Sequence, residues 1–144
     1  MSPVAVPQDI VHATCVAINK RGLLILGPSG SGKSSLGLAL MALGARLVSD
    51  DRTTLTNRAG KLVAKCPPAI RGLIEARGIG LIRASAQASA TVSLVVDLGQ
   101  QESDRLPPFR HTSLCGLDCD LVLGQKTPHF PSFLLAYMMG GRQA

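Results

Sequence analysis

The sequence predicts an α/β domain built on a mixed β-sheet, and three observations predict it. A short apolar run, Leu23 to Leu26, leads directly into the glycine-rich stretch Gly27-Pro28-Ser29-Gly30-Ser31-Gly32-Lys33-Ser34. That stretch opens a segment with Leu36, Leu40 and Leu43 at helical spacing. Beyond it, apolar and β-branched segments bounded by Gly, Pro and Asn read mostly as strands, a pattern that fits a mixed sheet with few helices.

Taken in order, residues 1–9 read as a lead-in containing Pro3 and Pro7. Val11 to Ile18 alternates and is β-branched, as a strand requires, and Asn19-Lys20-Arg21-Gly22 is a turn signal. Leu23 to Leu26 is apolar without interruption, the mark of a strand covered on both faces. The helix is expected over Ser35 to Leu43, with Gly44 as its stop. Arg46 to Ser49 is a second short buried strand, ending on Asp50-Asp51. Thr53 to Lys65 reads as a hairpin turning at Asn57 to Gly60 and halted by Pro67-Pro68. Ile70 to Ile82 is punctuated by glycine, and Ala84 to Ala90 is small and polar, expected as a mobile loop. Val92 to Leu98 is a further buried strand, and Gln100 to Pro108 is a charged surface excursion. Leu121 to Leu123 gives a last strand and Ser132 to Met139 a closing helix. With no internal repeat, residues 1–144 are expected to form one domain.

Composition narrows the functional classes. Apolar residues make up 46% and charged residues 17%, which excludes a disordered chain. Aromatics are 3%, so the core is expected to be aliphatic. A net charge of +6 suits an anionic partner, but the basic residues are scattered and not interleaved with stacking aromatics, so nucleic acid is not expected. Cys15, Cys66, Cys115 and Cys119 lack the paired short spacings of a zinc site and read as free thiols of a reducing cytosol. No run approaches membrane length and the N-terminus has no signal pattern, so a soluble cytoplasmic protein without a membrane partner is expected.

The chemistry is concentrated in Gly27 to Ser34, which satisfies Gly-x-x-x-x-Gly-Lys-Ser, a P-loop. Glycines reach positive φ and let successive backbone N–H groups converge on phosphate oxygens, helped by the positive end of the following helix. Lys33 suits the β- and γ-phosphates, and Ser34 offers a hydroxyl to Mg²⁺. The acidic pair Asp50-Asp51 ends the next strand, where a carboxylate beside a metal–phosphate site holds metal or accepts a proton. Successive residues point opposite ways, so the two have different tasks. Glu75, between Arg71 and Arg77, is a further carboxylate suited to Mg²⁺, although a surface Glu–Arg pair explains it about as well.

The P-loop, the Asp50-Asp51 pair and Ile74-Glu75-Ala76-Arg77-Gly78-Ile79-Gly80, in that order, resemble the C-terminal catalytic domain of HPr kinase/phosphorylase. The resemblance implies a P-loop kinase domain with a mixed β-sheet, of the phosphoenolpyruvate carboxykinase-like fold. It implies ATP- and Mg²⁺-dependent phosphorylation of a serine on the phosphocarrier HPr, which regulates the sugar phosphotransferase system. It also implies a homo-oligomer, the hexamer being the family's assembly. Residue by residue, it assigns Lys33 to phosphate, Ser34 and Glu75 to Mg²⁺ beside Asp50, and Asp51 to the proton of the acceptor serine. His12 matches a family active-site histidine, and Arg105 matches a catalytic arginine on a mobile stretch.

Three features depart from the family pattern. Longer members carry an N-terminal regulatory domain, and this chain is expected to be a short form without it. The Ala84 to Ala90 loop is short. The arginine-bearing loop tied to dephosphorylation has as its nearest counterpart Thr127-Pro128-His129-Phe130-Pro131-Ser132, which has no arginine, so weak or absent phosphorylase activity is expected. The residues also admit a nucleotide-sensing module without catalysis, or a small-molecule P-loop kinase.

Overall fold

The computed structural model describes residues 8–144. Of the expected lead-in, residues 1–7 lie outside the described residues, and Gln8 and Asp9 belong to the first strand. The elements run β1 (Gln8–Val11), β2 (Ala13–Ile18), β3 (Arg21–Leu26), α1 (Lys33–Ala42), β4 (Arg46–Ser49), β5 (Thr53–Arg58) and β6 (Lys61–Lys65). They continue with β7 (Leu73–Ala76), β8 (Gly80–Arg83), β9 (Ser89–Gln101), β10 (Arg110–Leu114), β11 (Leu117–Gly124) and α2 (Phe130–Gly140).

Nine strands form one mixed sheet in the order β1-β5-β6-β9-β3-β2-β4, with β11 also pairing β9 and β10 pairing β11. β3, β9 and β11 run parallel, while β2 is antiparallel to both β3 and β4. The C-terminal ends of β3, β4, β9 and β11 and the N-terminal end of β2 therefore share one edge. Loops at such an edge meet in space whatever their separation in sequence.

The sheet curls, because the turn after β4 carries the chain to β5 and Thr53 Oγ1 donates to Ala13 O at 3.0 Å. Strand alternation then sorts one apolar run into two cores. Leu23 and Ile25 face the outer core with α1 and α2, whereas Leu24 faces the inner one. β9 repeats this, with Leu94 and Val96 outward and Val95 inward. Both runs were expected to be covered on both faces, and both are. The core is aliphatic apart from Phe130.

Several boundaries differ from expectation for local reasons. The single strand expected over Val11–Ile18 breaks at His12, because β1 pairs with β5 while β2 pairs with β3 and β4. α1 starts at Lys33, two residues early, and Leu43, expected on its apolar face, is its exposed C-cap; Gly44 at φ 109° ends the helix. Ile70 to Ile82 contains a two-stranded ribbon, β7–β8, whose Ile74 packs under α1. The small, polar stretch after it is tied to β4 rather than free, since Leu47 N–H donates to Ser85 O and Gln87 N–H to Leu47 O at 2.7 Å. β10 was not foreseen. Its hairpin with β11 turns on Cys115 (φ 50°) and Gly116 (φ 76°), a Cys-Gly pair that lacks the usual Asn or Asp signal.

Candidate active site

The phosphate loop is built as its sequence demands. Gly27, Gly30 and Gly32 lie at φ 152°, 82° and 98°, where side chains are strained. At Gly27 space matters too, because a Cβ there would meet Ser31 Oγ at 2.5 Å. Ser31 N–H donates to Pro28 O at 3.1 Å, and Leu36 N–H to Gly32 O at 2.9 Å makes the first helical bond. The free amides of the first turn of α1 point out of the helix end. Lys33 is buried, its ammonium donating to Gly27 O at 2.8 Å and Pro28 O at 3.1 Å. The Ser31 hydroxyl is buried against Gly27 and has no hydrogen-bond partner among the described residues.

Beside the loop, Asp50 is 5% exposed and accepts three donors. Ser34 Oγ donates at 2.7 Å to Oδ1 and lies 3.0 Å from Oδ2, Thr14 Oγ1 donates to Oδ1 at 2.7 Å, and the Glu75 N–H donates to Oδ2 at 3.1 Å. Asp51 turns the other way. Its carboxylate is exposed and meets His12 Nε2 at 2.7 Å. The different tasks expected of the pair thus correspond to opposite environments, one carboxylate inside the fold and one open to the cleft.

A cleft of about 330 Å³ collects His12, Thr14, Ser29, Lys33, Asp51 and Glu75, with Arg77 at its wall. Asp50 stands behind Ser34 rather than in the cleft. Arg105 is not brought there: it lies on the excursion after β9, in a separate hollow with Gln101, Lys126 and Phe133. Thr14, Ser35 and Arg77 are the cleft residues that sequence reasoning did not assign. Thr14 had a usable signal, since alternation along the strand puts it on the His12 side, a polar residue in an apolar run. The segment Thr127 to Ser132 is the entry to α2, with Phe130 buried in the core.

Among the described residues no three His, Cys, Asp or Glu side chains converge into a cage. Mg²⁺ needs none, because it typically takes one or two carboxylates and completes its shell with phosphate oxygens and water. The Ser34 hydroxyl gives its one proton to Asp50, which leaves its lone pairs for a cation, and Glu75 adds a carboxylate. The oxygens present fit the ion.

A P-loop at the head of a curled mixed sheet, with an acidic pair following a strand two places away at the same edge, defines a P-loop domain of the α/β class. Residues 4–110 match the family model of the HPr Serine kinase C-terminal domain. The chain belongs to that family. A protein of Cupriavidus necator named HPr kinase/phosphorylase is 33% identical over 134 residues, 85% of this chain and 42% of that protein. One of the same name from Clostridium tetani is 33% identical over 106 residues, 69% of this chain and 35% of that protein. The solved Hpr(Ser) kinase/phosphatase of Coxiella burnetii superposes with a TM-score of 0.74 at 26% identity, covering 91% of this chain and 93% of that one. The chain spans about two fifths of the length of the Cupriavidus relative. No helix among the described residues is long and apolar enough to cross a membrane.

Proposed function

We propose that this domain transfers the γ-phosphoryl group of ATP, with Mg²⁺, to a serine of a small phosphocarrier protein of the HPr kind. The observation that carries this is the meeting of a phosphate loop and the His12–Asp51 pair in one cleft. A nucleotide sensor needs the loop but no proton acceptor beside it. The acceptor protein is taken from the names of the relatives.

The loop amides and Lys33 hold the phosphates, with Lys33 exchanging its carbonyl partners for phosphate oxygens. Ser34 and Glu75 hold Mg²⁺, and Asp50 keeps the Ser34 proton turned away from it. Bound there, Mg²⁺ neutralises charge on the phosphate oxygens. His12 Nε2 lies 2.7 Å from Asp51 Oδ1, which leaves Oδ2 to take the serine proton as the serine oxygen bonds to phosphorus and ADP leaves. Lys33 and Arg77 are the cations of the cleft wall, and Arg105 enters the chemistry only if its excursion folds over the cleft. The relatives' names carry a dephosphorylating activity as well. Thr127 to Ser132 has no arginine to serve it, so the kinase direction is the one proposed, in a homo-oligomer.

The test is phosphate incorporation into HPr, mapped by mass spectrometry. Asp51→Asn is expected to bind ATP normally and lose at least about a hundredfold in transfer, as removal of a general base does. Lys33→Ala is expected to lose both nucleotide affinity and turnover. Near-normal transfer by Asp51→Asn would refute the assigned base.

A further inference from the structure

We infer that Thr14 is a positioning residue for the metal end of the cleft, acting through Asp50 on the Ser34 hydroxyl. The inference rests on reading the cleft as a Mg²⁺–nucleotide site and identifies what sets its geometry.

Thr14 is fully buried and its two branches do different work. The hydroxyl donates to Asp50 Oδ1 at 2.7 Å, the same oxygen that receives Ser34 Oγ at 2.7 Å. Asp50 forms no ion pair among the described residues, so its charge is held by neutral donors alone: two hydroxyls and the Glu75 N–H. A buried carboxylate with so few donors takes the orientation they impose. Without the Thr14 hydroxyl, Oδ1 keeps Ser34 as its one donor while the Glu75 N–H pulls on Oδ2, and the direction of the Ser34 proton is no longer fixed from the sheet side. A hydroxyl whose proton is not directed away presents a proton to a cation instead of a lone pair.

The methyl branch fixes the distance between β2 and α1. A Cβ placed on Gly37, in the interior of α1, would meet Thr14 Cγ2 at 2.9 Å, a separation real Cβ atoms essentially never show. Glycine is disfavoured inside a helix. Its presence here, at an ordinary helical φ, is explained by the threonine beneath it. One side chain therefore sets both how close the phosphate-loop helix lies to the sheet and which way Asp50 faces. Glu75 is drawn into the same arrangement, since its N–H is the third donor to Asp50 while its carboxylate lines the cleft.

The experiment titrates Mg²⁺ against a fluorescent ATP analogue, with a parallel measurement in chelator. Thr14→Val keeps the shape and removes the hydroxyl. It is expected to raise the Mg²⁺ concentration for half-maximal retention about tenfold, as loss of a group orienting a metal ligand does, while metal-free binding stays within about twofold. Thr14→Ser keeps the hydroxyl and is expected to titrate like the wild type. Gly37→Ala pushes on the methyl and is expected to raise the Mg²⁺ requirement, with relief when combined with Thr14→Ser, which removes that methyl. If Thr14→Val does not fold, the Gly37→Ala pair decides. A folded Thr14→Val, or a Gly37→Ala, with wild-type Mg²⁺ dependence overturns the inference alone. A wild type that holds the analogue equally with and without Mg²⁺ overturns the reading of the cleft, and the inference with it.

Discussion

Asp51 occupies φ 65°, at the centre of a three-residue turn closed by Arg52 N–H donating to Asp50 O at 2.7 Å. A γ-turn with positive φ at its central residue is the rare, strained kind, and such strain gathers at functional positions. The turn is what allows adjacent carboxylates to face opposite ways, Asp50 into the fold and Asp51 towards His12. Asp51→Gly and Asp51→Ala both remove the carboxylate, but only glycine relaxes the backbone. The glycine variant is expected to unfold with about 1 kcal/mol more free energy than the alanine variant in denaturant titration, and equal midpoints would show the turn to be unstrained. The two arginines are separated by a second comparison. Because Arg77 lines the cleft and Arg105 does not, Arg77→Ala is expected to lower transfer at least about tenfold, the scale of a cation at the transferring group. Arg105→Ala should cost less than about threefold, and the reverse order of rates would place the Arg105 excursion over the cleft during turnover.

At the level of elements, the long buried strands and the hairpin were legible, and short strands and strand ends were not. Uninterrupted apolar runs gave β3 and β9, and the hairpin β5–β6 followed from its turn residues. The β7–β8 ribbon went unseen because its strands are only four residues long, the turn between them carries Gly78, β8 opens on Gly80, and Ile79 and Leu81 are exposed rather than buried. β9 extends past its apolar run to Gln101, since its partner β11 supplies the ladder there through Gly124. Propensity carries no information about such a partner. The excursion that follows is anchored by a two-bond fork, in which Arg110 Nε and Nη2 donate to Glu102 Oε1 and Oε2 at 2.9 and 3.0 Å. Ser103 and Asp104 N–H groups donate to the same carboxylate. The Arg110 hydrogen bond holds the Glu102 carboxyl below its ordinary value of 4.5. A depressed carboxyl contributes its stability in full above the unfolded value and loses it as pH falls through the lower folded one. Amide exchange at Ser103 and Asp104 is therefore expected to accelerate, beyond its intrinsic pH trend, only below the ordinary glutamate range. Glu102→Gln should show that faster exchange already at neutral pH, and unchanged protection in that variant would mean the fork does not hold the excursion.

For the whole molecule, the sequence pointed to an aliphatic core but not to its division in two. The inner face of the curl mixes small residues, Ala13, Cys15, Ala17, Ala64, Ala90 and Cys119, with Leu24, Val48, Leu55, Leu62 and Val95, whereas larger side chains such as Leu36, Leu40, Ile74, Phe130 and Met138 dominate the outer one. A concave sheet draws its side chains together, and the small residues let the larger ones pack at the density that cores require. Each strand's faces can be read from alternation. Its neighbours cannot, because β9 enters between β6 and β3 from far along the chain. The site shares this limit: the loop and the acidic pair are local patterns, but their meeting with Glu75 depends on how the ribbon folds back on α1. Closure of the curl has a measurable consequence at Cys15, which pairs with Leu24 and Ser49 and is fully buried. Burial pushes its thiol from 9.0 up to about 12. In the unfolded chain the thiol ionises near 9.0 while in the folded one it stays protonated, so this residue's share of stability declines as pH rises above that value. Alkylation of Cys15 at mildly alkaline pH is accordingly expected to wait for unfolding and to rise with denaturant along the unfolding curve, whereas the partly exposed Cys66 should react in the native protein. Native-state labelling of Cys15 as fast as that of Cys66 would show that the curl opens without unfolding, and the edge that gathers the cleft loops would then be no more rigid than the loops themselves.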